Sequence, residues 1–326
     1  MKLQALTTNH VYPVFGFLGF FSTVILMPMH FRAKDLNVGV LLFVVWTSIL
    51  CLVFSVNSIV WNNSMADVAP AWCDISSRLI TASTTGNQTA LLCIVRCLYR
   101  IVTMKVMNQS SSEVRIDLLI NLSLGIGTPL LLLVFQYIVV SHRYVILEDI
   151  GCFPAIAVTT LGIPLYRIWP IIIALVSSVY AGLTVYVTIQ RRARSRNIID
   201  GQYPQRYWRL LSLCGIGIIC ALPDALLSLI LGFFHITTPY TWNFVHSEFS
   251  DILQIPASEW ARHTVEQLAV ESHRWFPAFY ALIFFAFFGL TKEARRCYYL
   301  SCLWVIQHLG FYRSTEDARF VRLETS

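Results

Sequence analysis

The segment from Trp72 to Arg100, WCDISSRLITASTTGNQTALLCIVRCLYR, restricts the fold of this chain more than any other. It is long enough to cross a bilayer, which takes roughly 20 residues. Yet it carries Ser76, Ser77, Thr81, Ser83, Thr84, Thr85, Asn87, Gln88 and Thr89, and nothing in hydrocarbon hydrogen-bonds a hydroxyl or an amide. A helix of this kind is stable in a membrane only with other helices around it.

The rest of the chain is suited to supply them. Hydrophobic residues make up 56% and charged residues 13% of it, with a mean hydropathy of +0.62, far more apolar than a soluble domain requires. Apolar runs at about 11–29, 38–60, 116–140, 169–189, 210–234 and 275–291 join the polar run at about 75–98. Together they predict an all-α integral membrane protein, a seven-transmembrane helix bundle. Residues 1–298 would form this unit and 299–326 a short cytoplasmic tail, with no soluble domain left to assign. The run Val11–Met29 has no basic n-region beyond Lys2 and no small-residue cleavage site, so it is expected to stay in the mature chain. Pro129 and Pro223 fall inside the fourth and sixth runs and should bend them.

The formal charge of +6 does not indicate nucleic acid, because the basic residues sit in short connectors between apolar runs. There they act as topology signals. Most of the 24 Lys and Arg gather on one side of the seven-run arrangement, which places the N-terminus outside and the C-terminus in the cytoplasm. Trp61, Trp72, Trp169 and Trp275 then fall at outer ends, as an interfacial belt requires. In this topology Cys73 and Cys152 are the two of nine cysteines on the oxidising side. A disulfide between them is expected, the alternative being two unpaired outer thiols. Cys51, Cys93, Cys97, Cys214 and Cys220 read as small packing residues. Cys297 and Cys302, just past the last run, are either palmitoylation sites on a helix lying along the membrane or plain juxtamembrane cysteines. Asn62-Asn-Ser64 is a formal glycosylation site that abuts Trp61.

Several loop motifs, in order, carry a resemblance. Asp67-Val-Ala-Pro-Ala-Trp-Cys-Asp-Ile75 precedes the third run, Arg143-Tyr-Val-Ile-Leu-Glu-Asp-Ile-Gly-Cys152 follows the fourth, and Phe288-Gly-Leu-Thr-Lys-Glu-Ala294 closes the seventh. With Asn57-Ser-Ile-Val-Trp61 and Leu98-Tyr99, they resemble the fungal lipopeptide mating-pheromone receptors, class D G-protein-coupled receptors of the a-factor receptor type. The likeness covers about 36–298. It implies a multi-pass receptor in the plasma membrane lipid bilayer. Its ligand would be a secreted prenylated peptide pheromone, and it would act on a heterotrimeric G protein upstream of a mating kinase cascade. Self-association as a homo-oligomer is left open. The third run ends Ile94-Val-Arg-Cys97 where the family more usually shows an Asn-Arg-Arg type sequence; Arg96 is retained.

Against that background the charged residues acquire candidate roles. Arg78 lies one turn below Asp74, so the pair forms an i,i+4 ion bridge or contacts ligand. Asp224 is the one carboxylate deep in a run; it either meets ligand or accepts a hydrogen bond from the polar face of the third run. Glu148 and Asp149 sit just before Cys152, over the mouth of the bundle. Ser258–Arg274 reads as a capped amphipathic helix with Trp260, Val265 and Leu268 available to pack on the bundle as a lid. On the inner side Arg96, Arg100, Arg191, Arg192, Arg194, Arg196 and Lys292 are the candidates for contact with the G protein; a positive-inside anchor is the alternative for Arg96, and for Arg191–Arg196 the G-protein contact is additional to their role in topology. A transporter should show internal repeats and several midplane charges, and an intramembrane enzyme a nucleophile with its base; neither pattern is present. No cofactor, metal or nucleic acid is expected.

Overall fold

The computed structural model describes residues 2–32, 37–103, 110–194, 205–234, 239–292 and 294–300, with side chains for 10–29, 37–103, 110–191 and the later segments. Long helices dominate: α1 Lys2–Arg32, α2 Val38–Val60, α3 Pro70–Val102, α4 Ser111–Leu122, α5 Thr128–Val139, α6 Trp169–Arg194, α7 Gln205–Phe234 and, after the short α8 Trp242–His246 and α9 Ala257–Trp260, α10 Thr264–Phe288. Two single π-turns, Ser123–Gly127 and Ile163–Arg167, join α4 to α5 and lead into α6. Local signals account for several starts. The Asn37 side chain accepts from Val40 N to cap α2, Pro70 opens α3, and Ser110 with Glu113 forms a capping box on α4.

Among the described residues five helical stretches are long and apolar enough to cross a membrane: His10–Met29, Val38–Val60, Ser111–Val139, Ile163–Arg191 and Gln205–Phe234. They leave Val14, Leu18, Leu119, Val134, Val179 and Ile219 exposed on outward faces, as lipid-facing surfaces require. α3 and α10 do not qualify on apolarity, and both are enclosed. α3 packs against α2, α5, α6 and α7, while α10 packs against α1, α2 and α7. The main apolar core runs through Phe43, Leu91, Ile94, Leu98, Leu213 and Phe284.

The polar face of α3 is buried as anticipated, but most of its hydroxyls are satisfied within the helix. Thr81 Oγ1 donates to Ser77 O (3.4 Å) and Thr89 Oγ1 to Thr85 O (3.1 Å), the back-bonding open to Ser and Thr on a helix. Between helices, Thr47 Oγ1 donates to Asn87 Oδ1 (2.9 Å) and Tyr166 OH to Thr81 Oγ1 (3.4 Å). Ser83 Oγ and Gln88 Oε1 are buried with no partner among the described residues.

The all-α expectation misses a small sheet at one end of the bundle. β1 Val145–Leu147 pairs antiparallel with β2 Gly151–Phe153, setting Ile146 opposite Cys152, and parallel with β3 Leu253–Ile255, setting Ile146 opposite Gln254. Two connectors far apart in sequence thus make one cap, and the Cys73–Cys152 disulfide, with Cα atoms 5.2 Å apart, ties it to α3. In the chain-entropy picture, closing a loop across a separation of 79 residues stabilises by about 4.5 kcal/mol.

Two expectations about this end are corrected. Ser258–Arg274 is not one helix: α9 Ala257–Trp260 ends, and α10 starts at Thr264, well before residue 275. Trp260 is buried, whereas Val265 and Leu268 are exposed rather than packed on the bundle. Glu148 holds α9 against the sheet: its carboxylate caps the first turn through Ala257 N (2.7 Å) and its carbonyl accepts from Trp260 Nε1 (3.1 Å). The aromatic belt also fails at Trp61, which is 0% exposed and donates Nε1 to Ala66 O within the cap.

The hairpin turn needs its glycine. Gly151 has φ +88°, and a Cβ there would stand 2.7 Å from Asn57 Cβ and 3.0 Å from the Trp61 ring. Gly151→Ala is therefore expected to destabilise the cap by roughly 1–3 kcal/mol. Thermal unfolding of the purified full chain should show a lowered midpoint; an unchanged midpoint would mean that the turn relaxes freely.

Candidate functional site

At the disulfide end, charged residues knit the cap to the helices. Arg143 donates Nε to Asp74 Oδ1 (2.8 Å) and a second nitrogen to Oδ2. Arg78 NH1 donates to Asp74 O (2.8 Å) and lies 3.8 Å from Oδ1, so the expected Asp74–Arg78 bridge is present but secondary to Arg143. Tyr144 OH donates to Asp67 Oδ1 (2.9 Å). Asp149, at φ +71°, accepts from Asn63 N (2.9 Å) and donates its own N–H to Trp61 O (3.1 Å). Asn57 on α2 donates to Cys152 O (3.1 Å) and accepts from Trp72 Nε1 (2.7 Å).

Sequence reasoning missed the residue that joins the most elements here, Arg274. It is 1% exposed, pairs with Glu271 at 2.8 Å, donates to Asp149 O (3.3 Å) and sits 4.8 Å over the Tyr12 ring of α1. The Glu-x-x-Arg spacing, i to i+3 on one helical face, was the signal available. Of the ligand candidates, Asp74, Glu148, Asp149 and Trp260 are therefore engaged in building the cap. Arg78, with its side chain 46% exposed, lines a groove between α3 and α5 with Leu133, Val134, Tyr137 and Arg143.

Below the cap, α2, α3, α7 and α10 surround a cavity lined by Thr84, Asn87, Gln88, Asp224, His273 and Tyr280. Asp224 accepts from Ser272 Oγ (2.6 Å), with His273 Nδ1 at 3.6 Å. Its partners thus stand on α10 and not on the polar face of α3, which lies across the cavity. Gln88 Oε1 is the acceptor in this cavity without a partner among the described residues.

At the opposite end, the Arg96 and Arg100 side chains converge on one carboxylate. Arg96 NH2 is 2.6 Å from Asp117 Oδ1, its NH1 donates to Asn121 Oδ1 (2.9 Å), and Arg100 pairs with Asp117 Oδ2. Asp117 is the second residue of the fourth run, at its edge, unlike Asp224, which lies deep in the sixth. Arg191 is half-buried near the end of α6 and Lys292 is exposed. Cys297 is buried, which disfavours acylation of its thiol in this arrangement. Asn62 is exposed in the turn after α2. The side chains of Arg192 and Arg194, together with Arg196, Cys302 and the tail from 301, lie outside the described residues. No group of His, Cys, Asp and Glu among the described residues is arranged to hold a metal.

The Asp74–Arg143 pair gives the cap a pH dependence. The hydrogen bond from Arg143 holds the Asp74 carboxyl below its usual value against burial, and the charges of Arg143 and Arg78 add to it. A depressed folded-state value means that the unfolded chain binds more protons in acid. The contribution is present above the unfolded value of about 3.9 and is lost as pH falls through the folded value. Thermal midpoints measured from pH 5 to pH 3 should fall more steeply for the native chain than for Asp74→Asn; parallel curves would contradict this.

The arrangement is a multi-pass helical membrane bundle with a disulfide-pinned loop cap at one end and paired arginines at the other. A family model described as Pheromone A receptor matches residues 11–307. The chain is 33% identical over 308 residues to the Pheromone B alpha 2 receptor of Schizophyllum commune, covering 93% of this chain and 47% of that protein. It is 31% identical over 299 residues to Pheromone receptor 1 of Mycosarcoma maydis, with 89% and 82% covered. To the Pheromone a factor receptor of Saccharomyces cerevisiae it is 26% identical over 230 residues, with 68% and 48% covered. The chain spans about half the length of the Schizophyllum commune relative. The extent of the family match and the identity to these receptors place the chain in one group: it belongs to the Pheromone A receptor family.

Proposed function

We propose that this chain is a plasma-membrane receptor for a secreted prenylated peptide pheromone and acts through a heterotrimeric G protein on a mating kinase cascade. The observation that carries the reading is the cap, in which two connectors are drawn into one sheet and locked by Cys73–Cys152 above a polar cavity. In this reading the chain crosses the bilayer seven times, through α1, α2, α3, α4 continued by α5, α6, α7 and α10. α3 and α10 cross because the other helices enclose them, and their 33 and 25 residues correspond to about 50 and 37 Å of helix. Residues 1–298 form the receptor unit and 299–326 a cytoplasmic tail. The N-terminus and the cap lie outside, consistent with a disulfide there, and the arginine-rich end lies in the cytoplasm.

Recognition divides in two. A prenyl chain contributes burial of about 0.8 kcal/mol per CH₂, with little sequence information. The peptide must supply specificity, and the groups best placed to read it are Arg78 at the α3–α5 groove and the cavity trio Gln88, Asp224 and His273. Asp74, Glu148, Asp149 and Trp260 contribute by holding the cap in place.

Cells that express the full chain and have no other pheromone receptor provide the test. A subset of a prenylated-peptide panel should stimulate nucleotide exchange on the G protein, and the same peptides without the lipid should be at least about 100-fold less potent. Peptide-driven movement of solute without nucleotide exchange, or equal potency of lipidated and unlipidated forms, would sink the proposal.

A further inference from the structure

The half-helix α4, Ser111–Leu122, buries none of its side chains. Val114, Ile116 and Leu119 face outward, 53%, 56% and 62% exposed. No apolar core therefore holds this segment to the bundle. Its inward contacts to α3 are polar: Asp117 to Arg96 and Arg100, Asn121 Oδ1 to Arg96, and Cys93 Sγ to Asn121 O at 3.8 Å.

Above this segment the helical hydrogen bonding changes register in the π-turn Ser123–Gly127, a common site of bending. The turn is fixed to α2: Trp46 Nε1 donates to Gly125 O at 2.9 Å, and a Cβ at Gly125 would fall 2.3 Å from Leu42 Cδ1. The upper boundary of α4 is thus pinned; α2 runs beside the twelve residues below it, and their side-chain links to α3 are the shared carboxylate of Asp117 and the weaker contacts of Asn121. Arg96 and Arg100 are like charges one turn apart, a repulsive arrangement on a helix. Asp117 relieves it by lying between them, with the arginine side chains only 16% and 17% exposed.

We infer that Asp117 is a positioning residue for coupling: it holds Arg96 and Arg100 against α4, and its release lets α4 pivot at the π-turn and frees both guanidinium groups for a protein partner. This rests on the receptor reading above for the identity of that partner. The resting state is then the one in which Asp117 is shared, and activation weakens the shared contact. Arg96 and Arg100 would meet acidic or carbonyl groups of the G protein only after they leave Asp117, because the pairing holds both side chains against α4, 16% and 17% exposed.

The full-length receptor in cell membranes with its G protein allows the test through Asp117→Asn, Asp117→Glu and Asn121→Leu at matched surface amounts. Asp117→Asn should raise exchange without peptide by about fivefold or more. Asp117→Glu, which keeps the carboxylate, should stay close to the native level, and Asn121→Leu should fall between. Independently of any G protein, amide hydrogen exchange over 111–122 should accelerate in Asp117→Asn. Unchanged peptide-free nucleotide exchange with an intact peptide response, or unaltered hydrogen exchange over 111–122, overturns the inference and leaves the receptor reading standing. A fall in both basal and stimulated nucleotide exchange also overturns it, since Asp117 would then promote coupling. If the native chain gives no peptide-stimulated nucleotide exchange, the receptor reading has failed, and the hydrogen-exchange comparison still decides whether Asp117 restrains α4.

Discussion

The polarity of α3 is the constraint on which the rest of the molecule depends. Its hydroxyls and amides are too many for a lipid-facing helix, and back-bonding to its own carbonyls satisfies only part of them. Burial by neighbours does the rest, so α2, α5, α6 and α7 pack around it. That enclosure gives the helix two fixed ends. One carries Cys73 and anchors the cap; the other carries Arg96 and Arg100 and meets Asp117. A movement of α3, or of a helix against it, is therefore felt at both ends of the bundle.

The charged groups sort by what they fix. Buried ion pairs contribute little net stability, because desolvation offsets attraction, but breaking one partner is expensive. Arg274 with Glu271 thus serves chiefly to orient the cap, and Arg143 with Asp74, whose side chains are 41% and 28% exposed, is a solvent-screened pair with the same role. Arg274 also joins α1 to α10 through the Tyr12 ring. Asp224 differs from both: its partners are a hydroxyl and an imidazole on α10, and it borders a cavity. Asp117 differs again, since two cations share it on a segment with no buried side chain.

Much of the bundle was legible because hydropathy marks helices that face lipid. The run 38–60 coincides with α2, and the polar run marked α3 as the axis. The disulfide could be anticipated from compartment alone. The start of α10 could not be read from hydropathy, because Glu266, Glu271, His273 and Arg274 interrupt it; on the helix Glu271 and Arg274 neutralise each other. The sheet was illegible for another reason. Its strands are three residues each, and β1 pairs with β3 across more than a hundred residues, with no local pattern to report it. Asp117 stands at the edge of an apolar run, and no local pattern ties it to Arg96 and Arg100, which lie at the end of the segment before it.

The central claim is that the locked cap at one end of α3 organises ligand recognition, while the paired arginines at its other end carry coupling. Peptide affinity compared between the native chain and Cys152→Ser, at equal surface amounts, tests this most directly. Opening the bridge frees the loop and raises its ordering cost on binding. The account predicts a loss of affinity of about tenfold or more, with the maximal response at saturating peptide retained. Unchanged affinity in Cys152→Ser would contradict it and show that the helix groove and cavity recognise the peptide without the locked cap.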